Sequence, residues 1–150
     1  MSLLFFDSSA LVKRYLTEIG SAWVGAQTDP AAGNTIVVAE ITRVEVAAAL
    51  AARHRATGGI TRAERDQLFN LLAQHVAAEY RAIPISAAVA DRAMQLTQQH
   101  RLRGYDAIQL AAGLAAAAVL PTLTFVAADD DLLSAAHAEG LAAENPNLHP

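Results

Sequence analysis

The chain has 150 residues, of which 53% are apolar and 17% are charged, and its formal net charge is −4. This size suits one domain with one core, and the apolar fraction excludes a disordered chain. No apolar run could span a bilayer, no signal peptide is recognisable, and the absence of cysteine excludes disulfides and thiolate metal sites. We therefore expect one domain over residues 1–150, located in the cytoplasm and without a membrane partner.

Apolar and β-branched runs alternate with helical patterns along the chain. In chain order they predict strand 3–6, helices 8–17 and 21–28, strand 35–38, helices 42–56 and 61–78, strand 80–85, helices 86–101 and 105–119, strand 123–127, helix 130–139 and a short strand 141–143. Such alternation indicates an α/β layer fold with a mainly parallel sheet of four to five strands. The polar tail, residues 144–150, is expected to be loose.

Two predicted strands lead directly into an acidic residue. Asp7 follows the first strand, and Asp129 follows the fourth. Ligands of open parallel sheets sit at the carboxyl ends of the strands, and the first strands of the two halves of such a sheet tend to be neighbours. Carboxylates that meet there repel each other unless a cation joins them, and their hard oxygens suit Mg²⁺ or Mn²⁺. The pattern therefore predicts a divalent metal site at this edge.

Two further acids, Glu45 and Asp106, lie in the first turns of predicted helices. Each one alone is explained by helix capping or by the helix dipole, so only the set of four acids is informative. The fourth position is ambiguous because three acids stand in a row. Strand register favours Asp129, Asp131 is the alternative, and Asp130 is expected to point away and cap the helix.

Four segments resemble the motifs of PIN-domain nucleases, in particular of VapC-like toxins, in the order of that family. They are residues 4–13 (LFFDSSALVK), 42–45 (TRVE), 104–111 (GYDAIQLA) and 125–129 (FVAAD), the last followed by the pairs 132–133 (LL), 135–136 (AA) and 140–141 (GL). The resemblance covers almost the whole chain. It implies a PIN-like three-layer α/β/α domain with a metal site formed by Asp7, Glu45, Asp106 and Asp129.

The resemblance also implies a function. The chain is expected to be an Mg²⁺-dependent endoribonuclease, with Mn²⁺ as a possible substitute, that hydrolyses RNA phosphodiester bonds as the toxin of a toxin–antitoxin pair. A cognate antitoxin and a homodimer are the implied partners. The alternative is a catalytically silent PIN scaffold that binds RNA or protein, although the presence of all four acids argues against it. The number of metal ions and the acid that orients the attacking water stay open.

Two other enzyme classes also begin with a strand followed by Asp. Haloacid-dehalogenase phosphatases carry a second acid two residues after the nucleophile, where this chain has Ser9. They and the response-regulator receivers also need a lysine late in the chain, but the only lysine here is Lys13. Neither class fits.

The net charge permits an RNA substrate. The four proposed site carboxylates account for −4 by themselves, and the 11 acidic residues that remain balance the 11 basic ones. Ser9, Arg101 and Arg103 are the candidate substrate contacts, because the two arginines stand just before Asp106. Further candidates, each also explained by a solvated surface or local ion pair, are Lys13, Arg14 and Arg43.

The helices that carry residues 11–16 and Leu50 offer apolar side chains near the predicted acids. We expect them to form a groove for the antitoxin segment, with an ordinary core role as the alternative.

Overall fold

Five parallel strands form one sheet in the computed structural model, which describes residues 1–150. The strands are β1 (Leu3–Phe6), β2 (Thr35–Ala39), β3 (Tyr80–Ile83), β4 (Thr124–Val126) and β5 (Ala142–Glu144). Their order is β3-β2-β1-β4-β5, and each neighbouring pair is parallel. The predicted α/β fold with a parallel sheet is confirmed, and β1 and β4 lie side by side at its centre.

Seven α-helices flank the sheet. They are α1 (Ser8–Leu11), α2 (Ser21–Thr28), α3 (Thr42–Arg55), α4 (Arg62–Ala78), α5 (Ala87–Gln99), α6 (Gly104–Val119) and α7 (Asp130–Ala138). One buried cluster joins one sheet face to α1–α4, and a second joins the other face to α5–α7. This arrangement is the expected three-layer α/β/α sandwich. None of the helices is long and apolar enough to cross a membrane.

The central strand β1 is apolar on both faces because both are covered. Phe6 packs in the cluster with α1–α4, whereas Phe5 packs in the other cluster and stacks on Phe125 of β4 at a centroid distance of 5.2 Å. Gly113 of α6 lies against this pair, since a Cβ there would approach the Phe125 ring to 2.7 Å. The small side chains of α6 thus serve close packing inside the fold.

The first predicted helix is shorter than expected. α1 ends at Leu11, and a 3-10 turn over Val12–Arg14 replaces its continuation. After this turn the Tyr15 hydroxyl lies 2.6 Å from that of Tyr80, and Arg14 donates to Glu79. Contacts with residues far along the chain therefore override the local helical pattern.

The expectation of a loose tail is wrong. Residue 144 belongs to β5, Pro146–Leu148 form a 3-10 turn, and the His149 ring stacks on Trp23 at 4.7 Å. The backbone of Pro146 lies directly against Gly20, whose φ of +86° favours glycine. Apolar and aromatic contacts with α2 compensate for the polar composition that predicted disorder.

Candidate active site

Asp7 lies where β1 ends and α1 begins, as strand logic predicts. Its Oδ1 accepts a hydrogen bond from the Ala10 amide at 3.0 Å, and the Ser9 hydroxyl donates to both carboxylate oxygens, at 2.7 and 2.9 Å. The side chain is only 3% exposed. Burial raises the pKa of Asp7 to about 7, although these hydrogen bonds lower it in part. No salt bridge joins Asp7 to a lysine, arginine or histidine side chain, so Asp7 is a buried acid without a cationic partner.

Ser9 connects the ends of the two central strands. Besides donating to Asp7, its hydroxyl accepts from the amide of Ala128 at 2.9 Å, one residue before Asp129. We predicted Ser9 as a substrate contact, and the structure places it between the two strand-end acids. Its hydroxyl is engaged on both sides, which favours a role in holding Asp7.

Glu45 lies in the first turn of α3 and is held from two sides. Its Oε1 accepts from the Ser8 hydroxyl at 2.7 Å and from the Gln109 amide at 2.8 Å. The charge of Glu45 also raises the pKa of Asp7, although less than burial does, which shows that the two acids are close. This half of the site is held by uncharged donors.

Sequence reasoning missed Gln109. It is the only polar residue between Ala107 and Val119 of α6, and it follows Asp106 by about one helical turn. The structure buries it to 2% exposure. A lone amide in an otherwise apolar helix, one turn from a site acid, was the signal that could have found it.

Asp106 opens α6 and contacts an arginine. Its Oδ2 accepts from Nε of Arg103 at 3.2 Å, although the Arg103 side chain is 84% exposed. The pKa of Arg103 is raised, first by this hydrogen bond and the charge of Asp106, and then by the charges of Asp129 and Glu45. Arg103 therefore lies in the combined field of three of the four acids.

Asp129 itself caps α7, so the expectation that Asp130 would do so is wrong. Oδ1 of Asp129 accepts from the Leu132 amide at 2.9 Å. Asp129 has an extended backbone, which is the conformation that an N-cap needs. Asp130 and Asp131 are exposed in the first turn that follows.

Two adjoining cavities collect the remaining site residues. One of about 490 Å³ contains Asp129, Asp131 and Arg101 in its wall, one of about 600 Å³ contains Glu45 and Tyr105, and both share Asp106 and Arg103. All four predicted acids thus lie at the carboxyl end of the sheet. No three acidic or histidine side chains are close enough, as they stand, to hold one metal ion.

The chemistry of these donors nevertheless fits a hard divalent cation. All four are carboxylates, and Mg²⁺ and Mn²⁺ prefer oxygen ligands. Burial of an ionised carboxyl group without a partner is costly, and Asp7 is such a group. A bound cation would supply the charge that the protein itself does not.

Three of the predicted RNA contacts form ion pairs with acids outside the four site carboxylates. Lys13 is only 6% exposed and pairs with Glu18 at 3.2 Å, so the expected solvated face is wrong for this residue. Arg14 pairs with Glu79 at 2.8 Å and donates to Tyr80, the first residue of β3, at the opposite end of the sheet. The exposed Arg43 pairs with its neighbour Glu40. Arg101 and Arg103 remain beside the acids.

The prediction that the helices carrying residues 11–16 and Leu50 form the antitoxin groove is wrong, because Leu11, Leu16 and Leu50 are core residues. An exposed apolar cleft instead lies between α3 and α4, with a volume of about 610 Å³. We call it the α3–α4 cleft; its lining is Arg43, Val44, Ala47, Phe69, Leu72, Ala73, Val76 and Ala77. Local periodicity did not distinguish the apolar side chains that face the sheet from those that face this cleft.

Comparison with solved structures shows which proteins share the fold, whereas no protein-family model and no curated protein sequence matches the chain. A chain in the crystal structure of FitAcB from Neisseria gonorrhoeae is 18% identical, with a TM-score of 0.65 over 95% of this chain and 97% of that one. A chain of VapBC2 from Rickettsia felis, bound to a DNA fragment from its promoter, is 14% identical, with a TM-score of 0.63 over 95% and 98%. A chain of a toxin–antitoxin complex from Klebsiella pneumoniae is 21% identical, with a TM-score of 0.57 over 97% and 98%.

The fold and the carboxylate-rich sheet edge together define the architectural class: this is the PIN-type three-layer α/β/α fold that the motifs led us to expect. More particularly, it is the fold of chains found in toxin–antitoxin complexes. In each comparison the match covers nearly the full length of this chain and of the matched chain. At 14–21% identity the likeness shows the fold and leaves the activity to be argued from the site.

Proposed function

We propose that this chain is a metal-dependent endoribonuclease and the toxin of a toxin–antitoxin pair. The observation that carries the proposal is Asp7, a buried carboxyl group without a cationic partner at the end of the central strand. A helix cap alone does not require such burial, which costs folding free energy. Acids with a strongly perturbed pKa, such as Asp7, are concentrated at functional sites.

The four carboxylates have different roles in binding the cation. Asp7 and Asp106 would bind Mg²⁺ or Mn²⁺ most directly, with Glu45 and Asp129 completing the shell, and Asp131 as the alternative fourth ligand. One or two such ions, when bound, make a water more acidic and stabilise the negative charge that develops during phosphodiester hydrolysis. Ser9 orients both oxygens of Asp7, and the hydrogen bond of Oδ1 to the Leu132 amide fixes Asp129.

RNA fits the groups around the acids. Arg101 and Arg103 are exposed beside the carboxylates, and a guanidinium group can donate two parallel hydrogen bonds to one phosphate. Tyr105 is also exposed in the wall of the cavity with Glu45, where its ring is available to stack on a base. We assign these three residues to substrate binding.

The α3–α4 cleft is our candidate for the antitoxin contact. Exposed apolar side chains line it, with Phe69 52% exposed, and grooves of this kind accept the apolar face of a helix. Glu45 lies on α3, the helix that forms one wall of the cleft, so an occupant would border the site. A homodimer and a cytoplasmic location are further parts of this proposal; the homodimer rests on the PIN-domain resemblance, and the location rests on the sequence features given above.

Cleavage of purified RNA by the wild-type protein tests the enzymatic part. We expect products with Mg²⁺ or Mn²⁺, none with EDTA, and none with Asp7→Asn. Activity that survives both EDTA and Asp7→Asn would refute a metal-dependent nuclease. RNA binding without cleavage under any divalent metal would favour the silent scaffold.

Co-purification tests the partner. The protein is expressed together with the product of a short reading frame adjacent to its own. We expect a stable complex that Phe69→Glu disrupts, because a charge would be buried in the apolar cleft. Met94→Glu on α5, another exposed apolar position outside the cleft, is the matched control. A complex that tolerates Phe69→Glu would place the partner elsewhere.

A further inference from the structure

Gln109 is a buried polar residue in an apolar helix, and packing does not explain it. The residues around it on α6 that are equally buried are alanine, leucine and glycine. An amide among such neighbours loses its hydrogen bonds to water, so it must find partners in the protein. Its partners all lie at the candidate active site.

The Gln109 Nε2 group contacts three oxygens. They are Oγ of Ser8 and Oγ1 of Thr42, each at 2.9 Å, and Oε1 of Glu45 at 2.8 Å. Only two N–H groups serve these three acceptors. One amide thus ties the first turn of α1 to the first turn of α3.

The carbonyl oxygen of the same amide is left without a partner. Oε1 of Gln109 is the only buried side-chain N or O atom in the protein that makes no hydrogen bond. An unsatisfied buried group of this kind lowers the stability of the folded protein. The reversed amide would give that oxygen donors in Ser8 and Thr42 but would set it against the Glu45 carboxylate, where two electronegative oxygens repel. The charge of Glu45 therefore decides how the amide points.

The arrangement gives the two oxygens of Glu45 different surroundings. Ser8 and Gln109 both donate to Oε1, whereas Oε2 makes no hydrogen bond with the protein and is not buried. Glu45 lines the cavity that it shares with Asp106. A glutamate side chain is long and flexible, and fixing it costs rotamer entropy. Here the donors fix it before any ligand arrives.

We propose that Gln109 is a positioning residue that, together with Ser8, holds Oε1 of Glu45 and leaves Oε2 free for the ligand of the cavity. This inference rests on the proposed function, in which that ligand is a divalent cation or its bound water. Gln109 acts through Glu45 and touches no substrate. Its orphaned carbonyl is the stability cost of this orientation.

The test compares wild type with Thr42→Val and with the double variant Gln109→Leu/Thr42→Val. Gln109→Leu alone would orphan the buried Thr42 hydroxyl, whereas removal of both partners is nearly neutral for folding. The Mn²⁺ dissociation constant is measured by calorimetric titration, and the thermal midpoint is measured without metal. We expect the double variant to bind Mn²⁺ about 10-fold more weakly or worse, as is typical for outer-shell partners, with an unchanged or higher midpoint. Thr42→Val should have a smaller effect on Mn²⁺ binding.

Wild-type Mn²⁺ affinity in a folded double variant would overturn the positioning role. If the double variant has a lower midpoint, Ser8→Ala decides, because Ser8 is the other donor to Oε1 and is partly exposed. Weaker Mn²⁺ binding by Ser8→Ala supports the proposal, and unchanged binding overturns it. A wild-type protein that binds no Mn²⁺ would instead refute the proposed function, and this inference with it.

Discussion

Asp7 and Glu45 form one half of the candidate site, and Asp106 and Asp129 form the other. In the first half, hydroxyl and amide groups hold the carboxylates without neutralising them, and Asp7 is fully buried. In the second half the acids line open cavities, one beside Arg103 and one capping a helix. The first half, with its buried Asp7, is therefore preorganised for a cation, whereas the second, open half has local partners that a cation or substrate must displace.

The largest difference between the halves should appear in catalysis. We expect Asp7→Asn to lower RNA cleavage by more than the roughly 10–100-fold typical of outer-shell partners, because no water can replace a buried ligand. Asp129→Asn should cost less, since its open surroundings admit water or Asp131 as a substitute. Single-turnover rates with Mn²⁺ measure both variants. Equal losses would remove the distinction between the halves.

Substitution of Asp7 by asparagine should change stability and activity in opposite directions. Its pKa is raised from 3.8 to about 7 in the folded protein, so the folded state binds the proton more tightly than the unfolded state does. The contribution of Asp7 to stability is therefore fully present below about pH 4, falls as the pH rises towards 7, and is constant above. A tenfold change in proton affinity corresponds to about 1.4 kcal/mol, so the stability lost over this pH range amounts to a few kcal/mol.

Asp7→Asn in the metal-free protein should accordingly be more stable than wild type at pH 8 and should lose this advantage near pH 4. Asparagine keeps the acceptor for the Ala10 amide, so the cap is retained. Urea unfolding at a series of pH values measures the effect. A variant less stable than wild type at pH 8 would show that the Asp7 charge is satisfied within the protein.

In the open half, two substitutions of Asp129 should separate the effect of its capping hydrogen bond from the effect of its charge. Asp129→Ala removes the acceptor for the Leu132 amide and is expected to cost about 1 kcal/mol in the free energy of unfolding. Asp129→Asn keeps that acceptor and should be close to wild type in stability. Cleavage should fall in both variants, because both lack the charge. If Asp129→Asn retained full activity, Asp129 would be a cap only and Asp131 would become the fourth acid.

The smallest effect is expected at Arg103. The Arg103 side chain in its ion pair with Asp106 is exposed, and such pairs contribute little to stability. Arg103→Ala should therefore tighten Mn²⁺ binding by at most about 5-fold, since Asp106 is released, while it weakens RNA binding. Arg101→Ala, which removes an equal charge from the same cavity wall, should weaken RNA binding only. Identical Mn²⁺ affinities in the two variants would show that Arg103 does not compete with the cation.

The sequence predicted the parts of the site that follow from strand order. Asp7 and Asp129 were placed by the rule that parallel strands present their ends together, and the alternation of elements predicted the sheet. Glu45 and Asp106 needed the family resemblance, because a helix-start acid is also explained by capping. These predictions depend on local pattern and chain order, which a sequence displays directly.

The missed features depend on side chains that meet from distant parts of the chain. Gln109 contacts Ser8 across 101 positions, and no local signal tells which partner a buried amide will find. Lys13 is a more local case: it lies in the 3-10 turn, pairs with Glu18 and is buried, although a helical position predicted solvent. Leu50 lies in the core and Phe69 faces the cleft, although both belong to amphipathic helices.

Gly113 lies in the core and does not touch the candidate site, but it affects how the site is positioned. It lies on α6 one and two turns after Gln109 and Asp106, so the three share a helix face. Its contact with Phe125, which stacks on Phe5, sets how closely the helix approaches the two strands that end at the acids. Because a Cβ at this position would lie 2.7 Å from the Phe125 ring, any other residue here requires α6 or Phe125 to shift. A substitution at this one buried glycine would therefore disturb the candidate site through the packing of α6, while every acid stays in the sequence.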